Sequence, residues 1–170
     1  FLAIALACFR NFSYPDRELI VVDDGEVYPA DVSAIDSANA RVIRVTAGTP
    51  IGTKLNQGLE EARGSWCFKM DDDDWYGPDY LDQMMSAVEA SREHLCRPVV
   101  ALVMPFLFFE VARWEIRLSR VNNLPGATLA FKREDWQRRP FRPLSQDEDL
   151  WFVKDQTRTG SRLLPVRSEE

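Results

Sequence analysis

Histidine is almost missing: His94 is the single one in a chain of 170 residues. One imidazole excludes His-rich metal sites, and it excludes a Ser-His-Asp machinery unless His94 itself takes part. Its neighbours Arg92, Glu93 and Arg97 fit an exposed helix end. Cysteine is also scarce. Cys8, Cys67 and Cys96 are widely spaced, odd in number and without metal-ligand spacing, so they read as reduced thiols of a cytoplasmic protein. Positive charge is in short supply: 21 Lys and Arg face 27 Asp and Glu, a formal net charge of -6. General nucleic-acid binding, which needs a basic face, is excluded on that balance. An anionic ligand is compatible with it only if a cation stands between the two.

Long hydrophobic runs are absent too. The apolar opening, Phe1 to Phe9, is too short to span a bilayer and lacks the initiating Met and basic flank of a signal peptide. It reads as a buried helix met in mid-domain, and any approach to the inner face of a membrane would come through other domains or partners. No internal repeat, low-complexity segment or linker interrupts the chain, and 45% of its residues are hydrophobic. Those features describe one folded domain over residues 1–170, truncated at its N-terminus.

Pattern along the chain predicts alternating helices and strands. A helix is expected from Leu2 to about Phe12, and a buried strand over Glu18–Val22 closing in Asp23-Asp24-Gly25. A weak helix over Asp31–Ala38 and a strand over Arg41–Val45 follow. Gly52–Arg63 is amphipathic, with Leu55, Leu59 and Ala62 on one face and Gly64 as its C-terminal cap. Trp66–Met70 reads as a strand running into the acidic cluster. The next helix begins at Gly77-Pro78, with Pro at its first position and Leu81, Met84, Met85 and Val88 as its apolar stripe. Strands are expected over 98–104, 107–111, 128–131 and 163–165, and helices over 134–137 and 148–159. Trp151 and Phe152 read as core, and Trp136 reads as packing at least as readily as anything else. The β/α order implies an α/β sandwich around a mainly parallel sheet.

Asp71-Asp72-Asp73-Asp74 is the outstanding local feature. Like charges this close raise one another's pKa unless something positive sits among them. A hard divalent cation is such a partner, because carboxylate oxygens are what Mg²⁺ or Mn²⁺ prefer. Open α/β sheets bind ligands at the carboxyl ends of their strands, where this run falls. A solvated acidic loop is the plainer alternative. An EF-hand is excluded, since Tyr76 occupies the sixth loop position where Gly is needed. A phosphatase of the Asp-x-Asp type would want a small residue where Trp75 stands.

Several ordered segments together resemble family 2 glycosyltransferases. They are Asp23-Asp24-Gly25 after Leu-Ile-Val-Val, Ile51–Gly58 with Ala62-Arg63-Gly64, Asp71–Pro78, Gly126-Ala127-Thr128, and Glu148-Asp149-Leu150-Trp151-Phe152. The family's first strand, which lines the nucleotide pocket, has no counterpart here. The resemblance implies a GT-A-like three-layer sandwich, a nucleoside-diphosphate sugar donor (UDP-linked) and inverting transfer. The acceptor would be a glycan, a lipid-linked molecule or a protein. It implies that Asp23 or Asp24 meets the base, that Asp73 and Asp71 bind Mn²⁺ or Mg²⁺, and that Asp72 reaches the ribose or a metal-bound water. Lys54 would add a positive contact or be a surface helix lysine. Asp149 would be the general base, Glu148 would orient it or the acceptor, and Asp147 is the rival base. At a helix start, all three can also be simple dipole partners. A non-catalytic nucleotide-sugar binding module is the alternative function.

Overall fold

The computed structural model describes residues 2–25, 39–95, 99–103, 107–110, 112–118 and 126–167. Within them the chain runs α1 (Leu2–Asn11), β1 (Leu19–Asp23), β2 (Ala40–Arg44), α2 (Ile51–Glu61), β3 (Trp66–Phe68) and α3 (Tyr80–Leu95). The second half adds β4 (Val99–Val103), β5 (Leu107–Glu110), β6 (Glu115–Leu118), β7 (Ala130–Lys132), α4 (Arg133–Arg138), α5 (Glu148–Arg158) and β8 (Arg162–Val166). The helix expected over 31–38 lies outside the described residues, as does Cys96.

β1 and β2 pair in parallel, and a second sheet has the order β3-β7-β4-β8. In that sheet β4 and β8 are parallel, while β7 runs against both of its neighbours. β3, β4 and β8 therefore point the same way, so β3 and β4 end on one edge of the sheet. β5 and β6 form a separate antiparallel hairpin with Leu107, Ile116 and Leu118 exposed.

Side chains alternate across the four-stranded sheet, as the period of two in a strand requires. Val100, Phe131 and Cys67 face one way, into a cluster with Trp136, Phe141, Phe152 and Val153 that α2 flanks through Leu55, Leu59 and Ala62. Ala101, Ala130, Trp66 and Phe68 face the other way, into a cluster with Leu6 and Phe9 of α1 and Leu81, Met84 and Val88 of α3. The result is the expected three-layer α/β sandwich, helices on both faces of the strands. Phe141 and Phe152 stack with ring centroids 4.1 Å apart, which locks the first of these clusters.

α2 is pinned from several directions. Asn56 accepts hydrogen bonds from the Trp136 indole (2.8 Å) and the Phe141 N–H (3.0 Å), and donates to the Phe141 carbonyl (2.9 Å). Gly52 donates its N–H to the Leu144 carbonyl at 2.9 Å, and a Cβ there would lie 1.9 Å from the Arg142 oxygen, so only glycine permits the approach. At the far end, Glu18 gathers the N–H groups of Arg63 and Gly64 and the guanidinium groups of Arg63 and Arg41.

Local expectations fail in places, each for a physical reason. Gly64 does not cap α2. The helix stops two residues earlier, with Ala62 extended, because Glu18 draws the following N–H groups away. Pro78 is not the first helical residue. It sits in a turn before α3, where its carbonyl accepts from the N–H and the hydroxyl of Ser13. β3 ends at Phe68, short of Lys69 and Met70. Thr128 closes a 3-10 turn over Gly126–Thr128, and the strand begins only at Ala130. Trp151 is not core: it is half-buried, with the Arg142 guanidinium 4.1 Å and the Lys154 ammonium 4.8 Å from its ring. Trp136 is buried packing, tied to Asn56.

Candidate active site

Acidic residues collect at three places, each at the end of a strand or the start of a helix. The first is the end of β1. Asp23 accepts the Gly25 N–H at 2.9 Å on one oxygen and pairs with Arg44 through the other. Asp24 is 3.1 Å from the Lys54 ammonium, which reaches across from the first turn of α2. The structure thus brings Asp23, Asp24 and Lys54 to one place. Lys54 is half-buried and hydrogen-bonded to Asp24.

The second is the acidic run beyond β3. It folds as a tight turn in which the Asp74 N–H approaches the Asp71 carbonyl at 3.4 Å. Asp72, Asp73 and Asp74 are exposed, as is Trp75, and Asp71 is half-buried. The Asp74 carboxyl is pushed above the usual carboxylate range, first by the protein packed around it and then by the charges of Asp71 and Asp73, with Lys69 pulling the other way. The Asp71 side chain accepts from Lys69 at 2.9 Å. Its N–H donates to the Tyr76 hydroxyl, also at 2.9 Å, and that hydroxyl donates to the Ala127 carbonyl at the same distance. Burial holds the Tyr76 phenol far above its ordinary value, so it stays protonated as a donor.

The third is the start of α5. Asp147 is exposed and left-handed, with φ 57° and ψ 17°, a conformation Asp tolerates better than most residues. Its side chain makes no capping hydrogen bond. Glu148 is buried, with one oxygen 3.8 Å from the Lys69 ammonium. Asp149 is half-buried, and one of its oxygens accepts the Leu150 N–H at 2.6 Å. The other packs on Gly126, where a Cβ would fall 1.5 Å from it.

The second and third places are therefore one site. Lys69 joins Asp71 to Glu148, and Tyr76 joins Asp71 to the Gly126-Ala127 turn that abuts Asp149. The first place is linked to them through α2, which carries Lys54 and also holds the segment leading into α5. Lys69 is the residue a reading of motifs misses, while Tyr76 and Gly126 lie inside the motif segments but carry no role in that reading. The signal for Lys69 was present: a lone ammonium between apolar residues and a run of acids.

Among the described residues, no group of three or more His, Cys, Asp and Glu side chains is assembled to hold a metal alone. Asp71, half-buried, and Asp73, exposed, stand on one turn and are carboxylates of the kind that could serve a hard cation.

The sequence matches the family described as glycosyl transferase family 2 over residues 1–159. EpsH of Bacillus subtilis (strain 168), which carries the name of a glycosyltransferase, is 31% identical over 88 residues, 50% of this chain and 26% of that protein. The succinoglycan biosynthesis protein ExoO of Rhizobium meliloti (strain 1021) is 36% identical over 76 residues, 44% of this chain and 22% of that protein. The matched regions thus amount to about a quarter of those relatives' length. Solved structures of S. aureus TarS share the fold. One superposes with a TM-score of 0.74 at 16% identity, covering 99% of this chain and 33% of that one. Another, TarS 1-349 in complex with UDP-GlcNAc, gives 0.64 at 16% identity, covering 97% and 54%. No helix among the described residues is long and apolar enough to cross a membrane.

Proposed function

The chain belongs to glycosyl transferase family 2, and on that footing we propose that it transfers a sugar from a UDP-linked donor to an acceptor hydroxyl, with inversion at the anomeric carbon. The observation that carries the proposal is the junction of acids around Lys69 and Tyr76. It puts a carboxylate able to act as a base, Asp149, against the Gly126-Ala127 turn and next in the chain to Glu148, and both of these contacts lead through Tyr76 and Lys69 to Asp71, a carboxylate able to serve a diphosphate.

Each residue has a distinct duty in this scheme. Asp23 and Asp24, the carboxylates at the end of β1, accept N–H groups of the base in this scheme. Asp72 meets the ribose. Asp71 and Asp73 hold Mn²⁺ or Mg²⁺, which when bound offsets the charge gathering on the departing diphosphate. Asp149 has one oxygen fixed by the Leu150 N–H, leaving the oxygen beside Gly126 to take the proton of the acceptor hydroxyl. That hydroxyl attacks from the face opposite the diphosphate, so a single displacement inverts the centre. Glu148 orients the acceptor, and Asp147, exposed and without a capping hydrogen bond, is the weaker candidate for base. The donor found with TarS 1-349 is UDP-GlcNAc, and a UDP-sugar is the donor class proposed here. The acceptor is a hydroxyl of a growing glycan, as the name of the succinoglycan relative supports. We take the reaction to be cytoplasmic, a setting that suits the free thiols Cys8 and Cys67.

Calorimetric titration with UDP, with and without Mn²⁺, followed by turnover of a UDP-sugar panel, tests the proposal. Mn²⁺-dependent UDP binding together with sugar release or transfer is expected. Binding without turnover would instead make the chain a nucleotide-sugar binding module. Absence of UDP binding would remove both.

A further inference from the structure

We propose that Lys69 is a positioning residue that couples the diphosphate side of the site to the acceptor side; the proposal rests on Asp71 as a cation ligand and Glu148 as an acceptor-orienting group. Lys69 follows β3 directly, and its side chain is only 8% exposed. A buried ammonium needs a carboxylate partner, and Lys69 has two. It lies 2.9 Å from Asp71, whose side chain is 39% exposed, and 3.8 Å from Glu148, whose side chain is 8% exposed.

The asymmetry of those distances matters. At 2.9 Å the contact to Asp71 is a charge-assisted hydrogen bond. At 3.8 Å the contact to Glu148 is an ion pair beyond hydrogen-bond reach. The ammonium thus gives its bond to the more exposed acid and leaves the buried one about 1 Å short of a hydrogen bond. Asp71, if it held a divalent cation, would have fewer carboxylate lone pairs for Lys69, and the ammonium would be repelled from it. Glu148 is the next carboxylate within its reach. A small swing then completes the Lys69–Glu148 bond and fixes the first residue of α5, beside Asp149. Filling the donor side tightens the acceptor side.

A lysine that only neutralised Glu148 would keep the fold intact but would not alter cation binding at Asp71. Calorimetric titration with Mn²⁺ alone, without donor, separates the two roles. Four proteins are compared: wild type, Lys69→Met, Lys69→Arg and the double variant Lys69→Met/Glu148→Gln. Lys69→Met frees Asp71 and is expected to bind Mn²⁺ on the order of tenfold more tightly, while Lys69→Arg restores the wild-type value. In transfer assays Lys69→Met raises the acceptor KM and leaves the donor KM no worse. The double variant carries neither buried charge, so it reports on Mn²⁺ even if Lys69→Met does not fold. Wild-type Mn²⁺ affinity in the charge-removing variants that fold overturns the coupling alone. A wild-type protein that binds no Mn²⁺ overturns the ligand role of Asp71, and the coupling falls with it.

Discussion

Asp149 and Gly126 are packed so closely that a side chain at position 126 would meet the Asp149 carboxylate: a Cβ there falls 1.5 Å from its Oδ2. Gly126→Ala must therefore move the proposed base. Sugar transfer is expected to drop by roughly a hundredfold, the scale of an ångström-sized displacement of a reacting group, while UDP binding persists. Steady-state kinetics set against UDP calorimetry checks this, and unchanged turnover would show that Asp149 need not sit where it does.

Tyr76→Phe removes one hydroxyl and unties two backbone groups, the Asp71 N–H and the Ala127 carbonyl. Leaving such groups unpaired in a largely buried place costs about 1–3 kcal/mol. Urea denaturation is expected to show that loss, and turnover is expected to fall with it, because the same hydroxyl sets the spacing between Asp71 and the Gly126-Ala127 turn. A Tyr76→Phe protein with full stability would contradict the bridge.

Much of this arrangement can be read from the sequence, and the remainder has a physical explanation. Strand positions were legible because Val21, Val100 and Phe131 belong to short branched or aromatic runs. Val100 and Phe131 are buried, although β1 is only half-buried where a buried strand was expected. The acidic residues were legible as types at strand ends. Their partners were not, because Lys69 and Glu148 are 79 positions apart by their numbers and meet only through the fold. The Gly64 cap and the Pro78 helix start failed for a related reason. Both followed sound local rules, and each was overridden by a distant partner, Glu18 in one case and Ser13 in the other. The β6 strand went unread because Glu115-Ile116-Arg117-Leu118 is an exposed alternation with little apolar signal.

Glu18 makes stability depend on pH. Burial alone would raise its carboxyl, but bonds from the Arg63 and Gly64 N–H groups and the charges of Arg63 and Arg41 outweigh that and hold it below the ordinary carboxylate value. A depressed carboxyl contributes stability that is present above its unfolded value and is lost as pH falls through the folded one. Glu18→Gln is therefore expected to destabilise by about 1–3 kcal/mol at neutral pH, with the difference shrinking in acid. Denaturation midpoints at pH 7 and pH 3 check the sign. A difference that grows in acid would contradict it.

Cys67 is pushed up to about 12 by its burial, so its thiol stays protonated at neutral pH. Iodoacetamide is expected to leave Cys67 unmodified in the native protein and to label it in denaturant. Mass mapping of the labelled peptides distinguishes the outcomes, and rapid native labelling would show that the Phe131 and Phe152 core opens readily.

The central claim is that Asp149 removes the acceptor proton. The most direct measurement is transfer by Asp149→Asn beside Asp147→Asn, each with its UDP-sugar affinity. Asp149→Asn is expected to lose at least about a thousandfold in transfer, within the range of general-base catalysis, with donor affinity unchanged and Asp147→Asn near wild type. Transfer that survives in Asp149→Asn and disappears in Asp147→Asn would contradict the account.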